Sequence, residues 1–522
     1  MDGYIIGVDA GTSVVKAVVF DLAGNELARA GRNVPIHNPQ HHMAEEDMHE
    51  VWTAATEVLN EILHNSNVNP ADILALSVTA QGDGSWMIDA NGEPVGPAIL
   101  WTDGRAGDII DRWYADGTVS RQFGITGCGP YAGSASPVLR WRLENQPELV
   151  GSGAINLWCK DWVEYKLTGD ISTDPSDPSL MGIDVRTRDW SDEALEIFGL
   201  SKGRDWLPPL KAPTELCGEV TREAAEATGL RAGTPVFKGQ FDVTASSLGV
   251  GVVSPGDAMA VVGTAGIVTI ATDDVESAFQ PPDVGWIIPH SPNTWIRGLG
   301  MSCCTPNLDW YLREFGDPFR AQVEIGEGGG GNGLFKVLDE TLQQVPVGSG
   351  GVIFHGYLAP GGERAPFVKP SARGSFNGIT GSHDRRYLLR SIYEGIAYGI
   401  RDCLDSVPTA VRHVSLAGGG AASPVWSQIF ADVLGRPIVI AAGSEFGAKG
   451  AAIAAGVGCG AYASYEEGVA ATVVVAREHE PNPANTEIYD EFFAVYRSIR
   501  ESTASNWDRL QGAVRKAAAA GV

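Results

Sequence analysis

The sequence predicts a mixed α/β protein of two large domains that repeat one strand-turn-strand plan. Three observations carry this expectation. The chain has 522 residues, more than one hydrophobic core usually serves. Short apolar runs alternate with amphipathic helical stretches along it. A pattern near the start, "YIIGVDAGTSVVKAVVFD", returns far downstream in "AMAVVGTAGIVTIATDD".

Tyr4 to Val8 reads as a strand, followed by a tight Gly/Thr/Ser turn and a second strand, Val14 to Phe20. The segment Asp21 to Asn25 then forms a hairpin connection containing glycine. In the echo, Gly263-Thr264 replaces Gly11-Thr12, and each Thr precedes an Asp, Asp21 or Asp273, at the same spacing. Such an echo suggests duplicated domains. Leu74 to Thr79 is an apolar strand leading into "AQGDGSW", with a further strand over Trp86 to Ile88 and a turn at Asn91-Gly92. In the second half, Leu388, Ile392, Ile396, Ile400 and Leu404 recur at helical spacing and predict a buried helix stripe. "VSLAGGGAASPVWSQIFADVLG" reads as strand, glycine turn and amphipathic helix with Val425, Ile429 and Val433 on one side. The Gly328 to Gly331 run reads as a flexible surface loop, and the Ala517 to Ala520 run as a fraying helix end.

Composition narrows the function. Hydrophobic residues make up 44% and charged residues 20%, as in an ordinary soluble globular protein. The formal net charge of −26 repels a phosphate backbone, so nucleic acid is not the expected partner. The seven cysteines are scattered. The one adjacent pair, Cys303-Cys304, is unsuited to an unstrained bridge. A reduced, cytoplasmic setting without a metal cluster is the simplest expectation. No leader pattern opens the sequence, and no apolar run is long enough to span a bilayer, so no membrane partner is expected.

Asp9 ends an apolar strand, where an ionised group needs a reason. The turn after it, Ala10-Gly11-Thr12-Ser13, offers backbone N–H groups and hydroxyls suited to phosphate oxygens. Asp9 could then hold a hydrated Mg²⁺, or it could simply accept turn N–H bonds. Asp242, at the start of a predicted helix after Gly239, has two readings as well. It is an N-cap, or a carboxylate at the carboxyl end of a strand that takes the proton of an attacking hydroxyl. Gly418-Gly419-Gly420-Ala421 either lets an adenosine approach the backbone closely or makes a tight strand-to-helix connection. Trp101, Asp103 and Arg105, with Gln81 and Asp83, form either a hydroxyl-binding set or a solvated loop. There is neither a P-loop pattern nor a GxGxxG fingerprint.

Taken in order, "GVDAGTSVVKAVVFD", "AEEDMHEVW", "LWTDGRA", "KDWVEYKLTG", "GQFDVTASSLG", "GTAG", "GERAP", "GSFNGIT", "LAGGGAASPVWSQIFADVLG" and "EFGAKGAA" resemble the FGGY carbohydrate kinases over nearly the whole chain. That resemblance implies an α/β fold of two actin-like (ribonuclease H-like) ATPase domains with a cleft between them. It implies an N-terminal domain over 1–249 that binds sugar and carries the base, and a C-terminal domain over 250–522 that binds nucleotide. Carried over residue by residue, it makes Asp242 the general base for the sugar hydroxyl and Asp9 the Mg²⁺-associated carboxylate. Gly11, Thr12 and Ser13 then face the γ-phosphate of ATP, and Gly263 with Thr264 is the matching phosphate loop. Gly419, Gly420 and Ala421 become the adenosine contact, joined by Gln428. Gln81, Gly82 and Asp83 fall where relatives meet substrate hydroxyls. Asp103 and Arg105 belong to a neighbouring motif that is more structural. Where glycerol kinases carry Arg-Glu and D-xylulose kinases Met-His, this chain has Gly82-Asp83, and its "QGDG" resembles erythritol kinases and, less closely, L-xylulose kinases. The expected activity is ATP-dependent phosphorylation of a small polyol or ketose by an enzyme that forms a homodimer. The rival expectation is an ATP-gated interaction protein on the same fold, without a sugar product.

Overall fold

The computed structural model describes residues 3–325 and 333–520. The Gly328 to Gly331 run lies outside the described residues. The chain divides into two compact units. The first comprises the segment up to Pro255, then Ala271–Arg297 and Ala442–Val474. The second comprises Gly256–Ile270, Gly298–Ala441 and the segment from Val475 onward.

The first unit is built on six strands: β1 (Tyr4–Ala10), β2 (Val14–Asp21), β3 (Glu26–Asn33), β4 (Ile73–Ala80), β5 (Leu216–Glu219) and β6 (Pro235–Phe237). Their order in the sheet is β5-β6-β4-β1-β2-β3. β1, β4 and β6 run parallel, and β2, β3 and β5 antiparallel to their neighbours. Alternation along the strands serves both faces of the sheet, as the period of two requires. Ile6, Val8, Val15, Ala17 and Val19 join a core with helices Met48–Ser66 and Cys159–Thr168. Ile5, Val18 and Phe20 face the other way, onto Ala448, Ala452 and Ala455 of helix Phe446–Gly458.

That last helix packs unusually close, and its small residues are the reason. A Cβ at Gly7 of β1 would lie 1.8 Å from the Ala448 carbonyl oxygen. One at Gly450 would lie 1.9 Å from the Ala245 oxygen, on helix Asp242–Gly249. The Gly/Ala composition of "FGAKGAA" therefore brings β1 and the Asp242 helix against one helix at backbone distance.

The second unit repeats the plan. Its strands β7 (Asp257–Val262), β8 (Gly266–Thr272), β9 (His413–Ala417), β10 (Ile438–Ala441) and β11 (Val475–His479) pair in the order β8-β7-β9-β10-β11. The senses are antiparallel, parallel, parallel, antiparallel, the same as for β2-β1-β4-β6-β5. The short sequence echo is thus the visible part of a five-strand structural repeat. Helix Arg385–Asp405 carries the expected apolar positions, but Leu389, Tyr393, Ala397 and Tyr398 are buried as well, so it is enclosed on more than one face. The alanine run closes the long helix Pro483–Ala519.

Candidate active site

Three parallel strands of the first unit end at one edge of the sheet, and the predicted acidic residues leave from there. Asp9 is the penultimate residue of β1, and it lies in register with Thr79 of β4. Gln81 follows β4 directly, its N–H donating to the Ala10 carbonyl at 3.0 Å. Asp242 comes shortly after β6 and begins helix Asp242–Gly249. Its approach is fixed by two bonds: the Thr79 hydroxyl donates to the Gln240 carbonyl at 2.6 Å, and the Phe241 N–H donates to Ser176 Oγ at 2.8 Å.

The N-cap of this helix is Phe241, which makes no side-chain cap bond. Asp242 is therefore not spent on capping, and its Oδ1 is buried with no hydrogen-bond partner. Burial, reinforced by the charge of Asp9 and, less, of Asp83, pushes the Asp242 carboxyl up to about 8. Asp9 is pushed up to about 6, mainly by burial, although Lys16 pulls it down. Lys16 itself is paired across to Glu445 at 2.9 Å. Next to Asp9 runs the helix of "EFGAKGAA": a Cβ at Gly447 would lie 2.6 Å from Asp9 Oδ2.

The loop after β4 is buried, not solvated. Gln81 donates through Nε2 to Glu46 at 2.9 Å, while its Oε1 is buried without a partner. Asp83 sits at φ 61, a conformation that non-glycine residues adopt only when held there. It is held by the Tyr131 hydroxyl, 2.6 Å from Oδ2, and the Ala135 N–H, 3.1 Å from Oδ1. Burial pushes Asp83 up to about 7 against these two donors. Tyr131 was not singled out from the sequence, because "CGPYAGSASP" reads only as a turn. Asp103 is placed differently: its oxygens accept from Ala44 N–H and from the backbone and guanidinium of Arg105, at 2.7–2.9 Å. Arg105 also bonds Glu45 at 2.6 Å. The Asp103 carboxylate is thus fully engaged by the chain. Trp101 donates to Thr12 Oγ1 at 2.9 Å, tying the same loop to the phosphate-type turn. Within that turn, Gly11 N–H donates to the Val14 carbonyl, and Ser13 is exposed.

Behind Asp242 lies a second group of buried charges. Lys160 Nζ is 2.6 Å from Asp161, 2.9 Å from Asp174 and 3.5 Å from Asp177. Lys238 Nζ is 2.7 Å from Glu164 and 3.0 Å from Asp161. Burial opposes the charge on Lys160, yet the three aspartates together hold its ammonium well above the usual range.

In the second unit, the turn Gly263-Thr264 follows β7, with Thr264 exposed. The Gly263 carbonyl accepts from Thr305 N–H at 2.9 Å and the Thr264 carbonyl from Cys304 N–H at 3.0 Å. Gly418 follows the neighbouring parallel strand β9 at φ 85. Cβ atoms at Gly418 and Gly420 would lie 2.7 Å from the Val262 oxygen and 2.4 Å from its Cγ1. The glycine turn at Gly419, Gly420 and Ala421 is therefore laid directly against the end of β7, beside the Thr264 turn. Gln428, on the helix that follows the glycine turn, is engaged by the chain: it donates to Asp432 and to the Glu480 carbonyl, and its Oε1 meets His479 at 3.2 Å.

Comparisons with known proteins assign the chain to a family. Residues 4–249 match the N-terminal domain of the FGGY family of carbohydrate kinases and residues 258–459 its C-terminal domain. The chain is 30% identical to an erythritol kinase of Brucella abortus (strain 2308) over 97% of both proteins. It is 28% identical to a xylulose kinase of Bacillus subtilis (strain 168) over 96% of this chain and 97% of that one. Among solved structures, a xylulose kinase from Rhodospirillum rubrum superposes with a TM-score of 0.84 at 27% identity, over 97% of this chain and 100% of the other. These matches set aside the rival expectation of an interaction protein without a sugar product. The chain belongs to the FGGY family of carbohydrate kinases: it is a phosphotransferase whose acceptor is the alcohol group of a sugar or polyol.

Proposed function

We propose that the acceptor is a small polyol or ketose of four or five carbons, with erythritol foremost, and that Asp242 is the general base. The observation that carries the base assignment is the freedom of Asp242: it opens a helix without capping it and keeps one oxygen without a protein partner. An alcohol is a poor nucleophile at neutral pH, and a positioned carboxylate removes its proton as the oxygen engages phosphorus. Asp242 then holds that proton at its carboxylate. Asp83, fixed by Tyr131 and Ala135, orients a second acceptor hydroxyl, and Gln81, two residues earlier, offers an unpartnered Oε1. The preference for erythritol draws on "QGDG" and on the name of the Brucella relative.

ATP is the donor in this reading, with Mg²⁺ neutralising charge on its phosphates when bound. Among the described residues there is no cluster of three or more metal-ligating side chains. That suits Mg²⁺, which takes one or two carboxylates and completes its shell with water and phosphate oxygens. Asp9 is the carboxylate best placed to hold it, with Gly11, Thr12 and Ser13 on the γ-phosphate side. In the second unit, Gly263 and Thr264 form the matching phosphate turn, and Gly419, Gly420 and Ala421 the adenosine contact. Residues 1–249 thus supply acceptor and base, and residues 250–522 supply the nucleotide groups. The setting is cytoplasmic, in keeping with seven unbridged cysteines and with no helix, among the described residues, long and apolar enough to cross a membrane.

A coupled assay with ATP, Mg²⁺ and a panel of erythritol, glycerol, both xyluloses and ribulose tests the reading. ADP release stimulated most by a four- or five-carbon acceptor is expected. A preference for glycerol, or for none of these acceptors, would overturn it.

A further inference from the structure

We propose that Phe241 is the specificity-determining side chain of the acceptor pocket, standing in the space that a side chain at position 82 would otherwise fill. This deepens the acceptor reading above and rests on it. Gly82 is buried, yet it is absent from the glycines with positive φ, so its backbone does not require glycine. Space requires it instead. A Cβ built at Gly82 would lie 2.2 Å from Cε2 and 2.4 Å from Cδ2 of Phe241, and 2.8 Å from Asp177 Oδ1. Contacts that short force a neighbour to move.

The ring cannot yield cheaply. Phe241 packs with Cys128 and Ile288 in a buried cluster, with Val243 and Trp286 against it. Its own N–H is bonded to Ser176 Oγ at 2.8 Å, one residue from Asp177. The ring is thus held both by this cluster and through its own backbone. Position 82 and position 241 each directly precede an acidic residue of the site, Asp83 and Asp242. The contact between Gly82 and Phe241 therefore joins the chain positions next to Asp83 and Asp242, and the charge of Asp83 is felt at Asp242.

The chemical consequence follows from the kind of surface presented. An aromatic face offers carbon-bound hydrogens a good contact and offers a hydroxyl no ordinary partner. The acceptor is accordingly a short, unbranched chain that turns C–H groups, not a hydroxyl-bearing extension, toward residue 241. A longer ketose or sugar acid meets the ring end-on. Chains of this family with a side chain at position 82 need a small residue at position 241, since the two cannot share the space.

The test combines a stability cycle with a selectivity measurement. In the cycle, Gly82→Ala, Phe241→Ala and the double variant are compared by thermal unfolding. Gly82→Ala lowers the Tm in the wild-type background, and most of that loss vanishes when Phe241 is already Ala. Equal losses in both backgrounds would overturn the contact. Selectivity is read as the ratio of kcat/KM for six-carbon over four-carbon acceptors, in wild type, Phe241→Ala and the milder Phe241→Leu. The ratio is expected to rise about tenfold or more in Phe241→Ala, the scale of one or two methylenes in a pocket, and less in Phe241→Leu. An unchanged ratio alongside a coupled cycle would overturn the specificity role while leaving the contact standing. Wild type turning over no four- to six-carbon acceptor would reject the acceptor reading and this role with it, an outcome distinct from the stability cycle.

Discussion

Two sets of buried or half-buried carboxylates lie in the first unit, and only one of them has cations. Asp161, Glu164, Asp174 and Asp177 surround Lys160 and Lys238, with contacts of 2.6–3.5 Å. Asp9, Asp83 and Asp242 stand at the sheet edge, and none of them is within ion-pair distance of a Lys or Arg among the described residues. In the first set pairing offsets burial only at some positions: the two lysines hold Asp161 below its usual range although burial opposes them, whereas burial still pushes Glu164 up to about 8 and Asp177 well above the usual carboxylate range. The second set is left unpaired and is pushed up, to about 6 for Asp9, about 7 for Asp83 and about 8 for Asp242. Unpaired buried carboxylates are costly to a fold, and sites where they persist are sites with a use for them. Asp103, engaged by Arg105 and Ala44, belongs with the paired kind despite lying in a neighbouring motif.

The contrast can be broken most sharply at Asp242. Asp242→Asn is expected to lower turnover with ATP and the best acceptor by about 10²- to 10⁴-fold, and near-normal turnover would end the base assignment. The same variant should not be less stable. A carboxyl raised to about 8 in the folded protein, against an ordinary value near 4 when unfolded, weakens the fold progressively as pH rises between those values. Asp242→Asn removes that penalty, so its Tm should exceed wild type at pH 8 and match it near pH 4.

For the paired set the opposite is expected. Lys160→Met leaves Asp161 with Lys238 but strips the cation from buried Asp174 and Asp177, and should destabilise by about 3–5 kcal/mol in denaturant unfolding; a loss below about 1 kcal/mol would show that these charges are not what holds the region. Asp83→Asn keeps the shape but weakens the hold on an acceptor hydroxyl, so KM for the acceptor should rise roughly tenfold with a smaller change in kcat. The smallest effect concerns pH. The acid limb of kcat/KM is expected near 8, because the base works only when ionised. Asp9→Asn removes a like charge and should move that limb to lower pH in whatever activity remains; a limb that stays put would separate the two carboxylates.

Much of this organisation was legible in the residues. The β1 and β2 hairpin, the strand before "QGDG" and its echo at Gly263-Thr264 follow from alternation and turn chemistry, which act over a few residues. The helix of Leu388 to Leu404 was legible too, although its burial on further faces depends on distant neighbours. Tyr131 was missed because a tyrosine after a Gly-Pro turn carries no local signal. Phe241 was in view within "GQFD", but its meaning needs the place of Gly82, 159 positions earlier in the chain. Gln428 looked available in its helix, and only the folded chain brings Asp432, Glu480 and His479 to it.

By itself, the sequence determined the α/β class, the internal repeat, the family and the identities of the acidic residues, since each is written in local pattern or in motif order. Tertiary structure alone decided which carboxylates are paired and which are not, and why position 82 must be glycine. Charge pairing and steric exclusion depend on distances between residues far apart in the chain, and only packing sets those distances.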